Sequence, residues 1–153
     1  MRRFLPIGLT VSGKECLVVG GGDVGTRKVR NLLDAGARVT VVSPVITDEL
    51  SDLAGSGDVR WLEEVFRADH LDGMFLAVAS TDDRTGNEEV VHAARESGVL
   101  ICDASSSDST QVIFGALLED DGITVAVFSD GRDPGQARRM RDRISDLLSG
   151  KDS

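Results

Sequence analysis

The stretch "ECLVVGGGDVG", residues 15–25, decides the fold. Its first half is a short apolar run, typical of a strand that is buried on both faces. Its second half places Gly20, Gly22 and Gly25 in the spacing G-x-G-x-x-G, directly before an amphipathic helical pattern that ends at Gly36. In that context the glycines allow a tight turn, a close approach of the backbone to a pyrophosphate, and close packing of the helix on the strand. The stretch predicts a dinucleotide-binding turn; the alternative is a glycine-rich turn that binds nothing.

Strand-like and helix-like segments alternate beyond this turn. The helix after the glycines is expected to turn Val24, Val29, Leu32 and Leu33 inward, and later helices are expected over 47–54 and from about Arg84. Helices of this length between strands indicate right-handed βαβ units and a Rossmann-like, doubly wound parallel sheet. The predicted strands cover residues 15–20, 38–43, 59–64, 74–80 and 99–104.

The rhythm changes after the fifth strand. The runs "QVIFGALLE" and "ITVAVFS" are separated by "DDG", which predicts a β-hairpin. A final helix is expected from about Pro134, with Met140, Ile144, Leu147 and Leu148 on one face. The pattern predicts a Rossmann domain over residues 1–110 and a separate hairpin and helix segment over 111–153.

Composition narrows the class of protein. A chain of 153 residues with a net charge of −9 has no excess of positive charge for nucleic acid. No apolar run approaches the roughly 20 residues that span a membrane, and the N-terminus makes a poor secretion signal. We therefore expect a cytoplasmic protein with no membrane or nucleic-acid partner. Cys16, inside the first apolar run, is expected to be a buried thiol.

The strand ends suggest how a cofactor is held. The second strand ends in "VVSPV", with Ser43 where an acid usually binds the adenosine ribose, and no arginine follows to favour a 2′-phosphate, so NAD is favoured. The fourth strand is followed by Thr81 and Asp82, which are candidates for the nicotinamide side; the alternative is that they cap the next helix. The predicted cofactor-binding residues are Gly20, Gly22, Asp23, Val24, Gly25, Ser43, Pro44, Val45, Thr81 and Asp82.

Three longer stretches resemble the precorrin-2 dehydrogenase family, the dehydrogenase and often ferrochelatase module of siroheme synthase. They are "LPIGLTVSGKECLVVGGGDVGTRKVRNLLDAGARVTVVSP", "VRWLEEVFRADHLDGMFLAVASTDDRTGNEEV" and "ITVAVFSDGRDPGQARRMRDRISDLL", and the match covers nearly all of residues 4–148. The resemblance implies oxidation of precorrin-2 to sirohydrochlorin with NAD⁺ as hydride acceptor, and Fe²⁺ insertion in some members. It also implies a homodimer formed through residues 111–153, a segment expected to be truncated relative to the family.

The resemblance further implies where the substrate binds. A tetrapyrrole with many carboxylates requires local positive charge on a chain that is acidic overall. Arginines are concentrated in the last segment, and Ser129, Arg132 and Arg138 are the predicted substrate-binding residues. The alternative is an ordinary solvated helix face that pairs with the neighbouring aspartates.

The stretch "ICDASSSDSTQVIF", residues 101–114, raises the main chemical question. Members of the family usually carry a catalytic Asp after the fifth strand, and an alignment without gaps puts Ser105 there. A serine of ordinary pKa cannot remove a proton near pH 7 unless another base activates it. The predicted catalytic residues are therefore Ser105 with the nearby acids Asp103 and Asp108.

Two hypotheses follow. The first is an NAD-dependent precorrin-2 dehydrogenase without strong chelatase activity. The second is a non-catalytic relative that binds NAD or a tetrapyrrole as a carrier, sensor or assembly partner. A third reading, an NAD-sensing domain of a transport regulator, is disfavoured because such domains usually have an acid where this chain has Ser43.

Overall fold

A five-stranded parallel sheet lies at the centre of the computed structural model, which describes residues 3–150. The strand order is β3-β2-β1-β4-β5, so the chain builds outward from β1 first to one side and then to the other. This is a doubly wound topology, and the change of direction occurs between β1 and β4. The predicted fold class is confirmed. The strands are β1 (Glu15–Gly21), β2 (Arg38–Ile46), β3 (Val59–Leu62), β4 (Leu76–Ala79) and β5 (Leu100–Asp103).

The remaining elements are three helices around this sheet, a hairpin and a last helix. The hairpin turns through Asp121 and Gly122, both with positive φ (47° and 78°), as a two-residue turn requires. The elements are α1 (Asp23–Asp34), α2 (Asp48–Ser56), α3 (Arg84–Glu96), β6 (Ala116–Asp120), β7 (Ile123–Val127) and α4 (Pro134–Leu148).

The chain forms two compact units. One covers Leu9–Val112 and contains the sheet; among the described residues, the other joins residues 3–8 with residues 113–150. Within the second unit the carboxylate of Asp130 accepts hydrogen bonds from the backbone N–H groups of Arg3 and Phe4, at 3.0 Å each. The predicted division of roles between residues 1–110 and 111–153 stays a prediction.

The core explains why the strands read as continuous apolar runs. Leu17 of β1 and Ile101 of β5 are fully buried against Val90 of α3, on one face of the sheet. Val29 of α1 is also fully buried. Parallel sheets are covered by helices on both faces, so their strands have no solvated side. Each such side chain stabilises the fold by about 1.5–3 kcal/mol. Cys16 is fully buried as expected, and burial raises the pKa of its thiol to about 11.

Some sequence expectations were wrong in detail. Val24, expected to face inward, is 38% exposed, because it lies in the first turn of α1 beyond the edge of the sheet. The strand β2 runs three residues past the predicted end at Ser43, to Ile46. The crossover from β3 to β4 contains a short 3-10 helix, Ala68–Leu71, which the pattern did not predict. In the part of the chain that the structure describes, no helix is long and apolar enough to cross a membrane.

The N-terminus of α1 lacks the side-chain cap that the other three α-helices have. The side chains of Thr47, Asp83 and Asp133 accept hydrogen bonds from the first turns of α2, α3 and α4, as N-cap residues commonly do. The N-cap of α1 is Gly22, which has no side chain to offer, so the first-turn N–H groups of α1 have no side-chain cap. A helix start with uncapped N–H groups suits an anionic ligand.

Candidate functional site

The first and third glycines of the motif are required by packing. Gly20 has φ +110°, and a Cβ there would lie 2.6 Å from the backbone carbonyl carbon of Ser80 at the end of β4. A Cβ on Gly25 would lie 2.2 Å from the carbonyl oxygen of Gly20. Since real Cβ atoms do not approach other atoms so closely, any larger residue would push α1 away from the sheet.

The second glycine has a different role. A Cβ on Gly22 would meet no protein atom within 4 Å, and its φ of −81° suits any residue. The space beside Gly22 therefore faces outward, next to the uncapped N–H groups and the positive end of the α1 dipole. A pyrophosphate fits this arrangement, because its charge and its oxygen acceptors match the groups exposed there. Asp23 and Val24 form the exposed start of the same turn.

The end of β2 is a wide irregularity in the sheet. Val19 pairs with Val42 and Gly21 pairs with Ile46, so residues 43–45 face only one residue of β1. The Ser43 hydroxyl donates to the Val45 carbonyl oxygen at 2.6 Å, and the Ser43 carbonyl oxygen accepts from Nε1 of Trp61 at 2.9 Å. The serine side chain thus uses its only proton inside the bulge and offers a ligand its oxygen lone pairs.

Exposed apolar side chains lie at or after the ends of three neighbouring strands. Val24 follows β1 and is 38% exposed, Val45 lies in the bulge at the end of β2 and is 76% exposed, and Val65 follows β3 and is 68% exposed. Large exposed apolar side chains gathered at one edge commonly mark a binding surface, and the flat ring of an adenine suits such a surface. Sequence reasoning proposed Val24 and Val45 but missed Val65, because a single valine in a loop has no sequence pattern that marks it.

A cleft of about 230 Å³ lies past the carboxyl ends of β4 and β5. It brings together Thr81 and Asp82 from one loop and Ser105 from the other, as their positions after parallel strands predicted. Its volume is below the roughly 300–1,000 Å³ of typical small-molecule pockets, so it suits one ring-sized part of a larger ligand. The lining residues are Thr81, Asp82, Arg84, Asn87, Ser105 and Ser106.

Asp103 holds the loop on the β5 side of the cleft. Its side chain is only 6% exposed, and Oδ1 accepts from the Ser105 hydroxyl at 2.6 Å, the Ser105 N–H at 2.9 Å and the Ser106 N–H at 3.2 Å. Oδ2 accepts from the hydroxyl of Ser109. Burial raises the pKa of Asp103, but the hydrogen bonds from Ser105, Ser109 and the backbone outweigh it, so the pKa lies below its usual value. A carboxylate with both oxygens occupied and a lowered pKa is a weak base.

The other two predicted catalytic residues differ in placement. Ser105 lines the cleft, and its one hydroxyl proton is donated to Asp103. Asp108 is exposed, and its backbone N–H donates to the hydroxyl of Ser106 at 3.3 Å. Asp108 is not among the residues that line this cleft in the described chain.

The predicted substrate residues lie in the second unit. The Ser129 hydroxyl accepts from the N–H of Asp133 at 3.0 Å, at the start of α4. The guanidinium of Arg132 is 3.9 Å from the carboxylate of Asp130, at the limit of an ion pair. Arg138 has no ion pair within residues 3–150, whereas Arg139 and Arg141 each have a carboxylate partner. Arg138 is thus a cation available to an acidic ligand.

Residues 7–116 match the model of a family described as "Putative NAD(P)-binding". The chain belongs to this family. The matched range includes the glycine turn, the β2 bulge and both rims of the cleft. The predicted cofactor is thereby confirmed at the level of NAD(P).

The relatives point to one pathway. Siroheme synthase 1 of Aeromonas salmonicida is 40% identical over 145 residues, which is 95% of this chain and 31% of that protein. Siroheme synthase of Nitrosomonas europaea is 41% identical over 146 residues, again 95% of this chain and 31% of the relative. A solved structure, "SirC, precorrin-2 dehydrogenase", superposes with a TM-score of 0.82 at 26% identity over 94% of this chain and 71% of that one. The predicted resemblance is confirmed. The chain spans about a third of the length of the curated relatives that it matches.

The glycine turn yields a matched pair of variants. Gly25→Ala should lower the free energy of unfolding by about 1–3 kcal/mol, because its methyl group has no room. Gly22→Ala should cost less than about 1 kcal/mol of stability, the usual size of a capping change. It should nevertheless weaken NAD binding by about tenfold or more, because the methyl enters the space assigned to the pyrophosphate. Chemical denaturation and calorimetric titration check both; normal NAD affinity in Gly22→Ala would contradict the assignment.

Asp103 yields a pH-dependent prediction. Because its pKa is lowered in the folded state, its carboxylate stabilises the fold above about pH 3.9, the usual Asp value, and this contribution is lost as the pH falls through the folded pKa. Asp103→Asn should therefore be less stable than the wild type by about 1–3 kcal/mol near neutral pH. The difference should shrink on acidification. Urea denaturation across pH measures it, with exposed Asp52→Asn as the control that should show little difference at any pH.

Proposed function

We propose that this chain is an NAD-dependent dehydrogenase that oxidises precorrin-2 to sirohydrochlorin in siroheme biosynthesis. The observation that carries the proposal is the extent of the structural similarity to the solved precorrin-2 dehydrogenase. That similarity covers 94% of this chain, whereas the matched NAD(P)-binding family ends at residue 116. The similarity therefore extends beyond the nucleotide-binding sheet. It includes residues after 116, which a domain that only binds a dinucleotide does not need.

Different residues of the first unit bind different parts of the cofactor. The N–H groups at the start of α1 bind the pyrophosphate, and the exposed valines beside β1, β2 and β3 cover the adenine. Thr81 and Asp82, which line the cleft, hold the nicotinamide half. When bound, NAD⁺ supplies a hydride acceptor at the carboxyl edge of the sheet, where ligands of doubly wound folds bind.

The bulge after β2 favours NAD over NADP. A 2′-phosphate needs hydrogen-bond donors or positive charge. Pro44 has no N–H, the side chain of Val45 is apolar, and the Ser43 hydroxyl already donates to the Val45 carbonyl oxygen. The lone pairs of the Ser43 hydroxyl can instead accept a hydrogen bond from a ribose hydroxyl. The bulge thus replaces the acidic residue that commonly does this.

The residues at the cleft determine where the protons go. The substrate loses a hydride and protons when it is oxidised, and Asp103 is too well hydrogen-bonded to accept one. Because the Ser105 hydroxyl donates to Asp103, its lone pairs remain to accept a hydrogen bond from a substrate N–H. We infer that Ser105 orients the tetrapyrrole in this way, and that water takes up the proton. Catalysis then depends on proximity and orientation.

The second unit is proposed to bind substrate carboxylates and a second copy of the chain. Ser129, Arg132 and Arg138 supply polar and cationic groups, and Arg138 is not engaged in an ion pair within the described residues. In α4 only Ala137 is buried among the described side chains, while Leu147 is 62% exposed. An apolar helix face of this kind supports a homodimer formed through residues 111–153. A cytoplasmic location stays a prediction.

The second candidate is a non-catalytic relative that binds NAD or a tetrapyrrole as a carrier, sensor or assembly partner. The specific observation in its favour is Asp103, whose carboxylate is buried in the loop wall while a serine occupies the cleft. Such a protein would bind its ligands without converting them. Calorimetry with sirohydrochlorin and with NAD⁺ would then show binding, and turnover would be absent.

The first test is turnover. The purified chain, mixed with precorrin-2 and NAD⁺, should form NADH and sirohydrochlorin at a rate above a control without protein. Because Asp108 does not line the cleft, the rate should change little when Asp108 is replaced by Asn. Absorbance of NADH and of sirohydrochlorin measures the reaction.

Absence of NADH above the control, together with measurable NAD⁺ binding, would favour the non-catalytic relative instead. A large loss of rate in Asp108→Asn would return the role of base to that residue. With Fe²⁺ and sirohydrochlorin, we expect no siroheme above the control, since both oxygens of Asp103 are already occupied.

Cofactor preference can be measured with the one tryptophan of the chain. Trp61 is hydrogen-bonded to the carbonyl of Ser43, so a ligand at the adenosine side should quench its fluorescence. We expect NAD⁺ to bind at least about tenfold more tightly than NADP⁺, the factor that about 1.4 kcal/mol represents. Val45→Arg should narrow the gap by supplying a guanidinium for the 2′-phosphate. Equal affinities in the wild type would show that the bulge does not select NAD.

A further inference from the structure

Asn87 is a buried amide beside the candidate nicotinamide site. It lies in the first half of α3, its side chain is 1% exposed, and it is among the largest fully buried side chains of the described chain. Burial of an uncharged polar group costs free energy unless its donors and acceptors are paired. The partners of Asn87 therefore indicate what it is placed there to do.

Within the described part of the chain, the hydrogen bonds of the Asn87 side chain all go to one residue, Thr81. Its Oδ1 accepts from the backbone N–H of Thr81 at 3.0 Å, and its Nδ2 donates to the backbone carbonyl oxygen of Thr81, also at 3.0 Å. The Thr81 hydroxyl lies 2.8 Å from the same Oδ1. A side-chain amide that pairs with both backbone groups of one residue acts as a neighbouring strand would.

This pairing continues the sheet where the strands have ended. The last register pairs of β4 are Val19 with Ala79 on one side and Asp103 with Ala79 on the other. Ser80 is still tied to β1, because its N–H and its hydroxyl both donate to the Val19 carbonyl oxygen, at 2.9 and 3.0 Å. Thr81 is the first residue past these hydrogen bonds, and its backbone groups pair with the side chain of Asn87 instead.

The loop is also closed from the other end. The Asp83 side chain accepts from the N–H groups of Thr85 and Gly86, which fixes the start of α3. The Asp83 N–H donates to the Thr81 hydroxyl at 3.2 Å. Asp82, which lines the cleft, is thus held between two anchored residues.

We propose that Asn87 is a positioning residue that sets the Thr81–Asp82 loop for the nicotinamide half of the cofactor. It acts through Thr81 and does not need to touch the reacting atoms. The inference rests on the proposed function for its meaning, because that function assigns Thr81 and Asp82 to the nicotinamide. Only an amide of this length supplies both an acceptor and a donor to one peptide: a carboxylate lacks the donor, and a methyl lacks both.

The test compares two ligands that differ by the nicotinamide. ADP-ribose contains the adenosine, pyrophosphate and ribose parts of NAD⁺ but no nicotinamide ring. In Asn87→Asp, we expect the Kd for ADP-ribose to stay within about twofold of wild type. The Kd for NAD⁺ should rise about tenfold or more, the factor expected when one buried hydrogen-bond partner is lost. Calorimetric titration of the full-length variants measures both constants.

The pH dependence adds a signature of the donor itself. Burial and the facing carbonyl oxygen of Thr81 raise the pKa of an introduced carboxyl, so a larger fraction of it is protonated as the pH falls. A protonated carboxyl can donate to the Thr81 carbonyl oxygen as the amide did. The NAD⁺ affinity of Asn87→Asp should therefore recover towards the wild-type value on acidification. Asn87→Ala removes the same hydrogen bonds without a charge and should show the same selective loss with no recovery.

Controls keep the result interpretable. Asn31→Asp, a change of the same kind on α1 and outside the site, should leave both affinities unchanged. Thermal unfolding establishes that each variant is folded, and Asn87→Ala carries the comparison if Asn87→Asp does not fold.

The outcomes separate this inference from the proposed function. Equal weakening of NAD⁺ and ADP-ribose would overturn it, because Asn87 would then contribute only general stability. No weakening of either ligand would also overturn it. Both binding measurements work without a tetrapyrrole, so a chain that forms no NADH with precorrin-2 but shows the selective loss would contradict the proposed dehydrogenase and leave the role of Asn87 supported.

Discussion

The contact on which the site depends is the approach of α1 to the ends of β1 and β4. A Cβ on Gly25 would lie 2.2 Å from the carbonyl oxygen of Gly20, and one on Gly20 would lie 2.6 Å from the backbone of Ser80. Ser80 in turn donates to the Val19 carbonyl oxygen. Because backbone touches backbone at these points, the start of α1 has little freedom to shift. That rigidity holds its uncapped N–H groups in the place where a pyrophosphate can use them.

The two rims of the cleft are held by the same physical means. Asn87 holds the loop after β4 and Asp103 the loop after β5, each with a buried side chain whose hydrogen bonds replace those of a strand that has ended. A buried polar group with all partners present specifies one arrangement of its surroundings, since any other arrangement leaves it unpaired. The carboxylate at the β5 rim therefore organises the wall of the cleft, and the neutral Ser105 is among the residues that line it.

Particular residues show how far sequence reasoning reached. The strands, the helix starts at Arg84 and Pro134, and the glycine turn were predicted, because apolar periodicity and capping chemistry are local. Val24 was expected inside, since periodicity does not tell where a helix projects past its sheet. Val65 and Asn87 were missed, because an exposed valine and a helical asparagine have no pattern of their own. Their meaning comes from the strands that place them.

The sequence by itself determined the doubly wound sheet, the dinucleotide turn and the family, because these depend on residues close together along the chain. It also placed Thr81, Asp82 and Ser105 at one edge of the sheet. Only the tertiary structure decided what those residues are free to do. The Ser43 hydroxyl donates its proton to the carbonyl oxygen of Val45, and both carboxylate oxygens of Asp103 accept hydrogen bonds from serine hydroxyls. A hydrogen bond depends on which atoms meet in space, and composition does not record that.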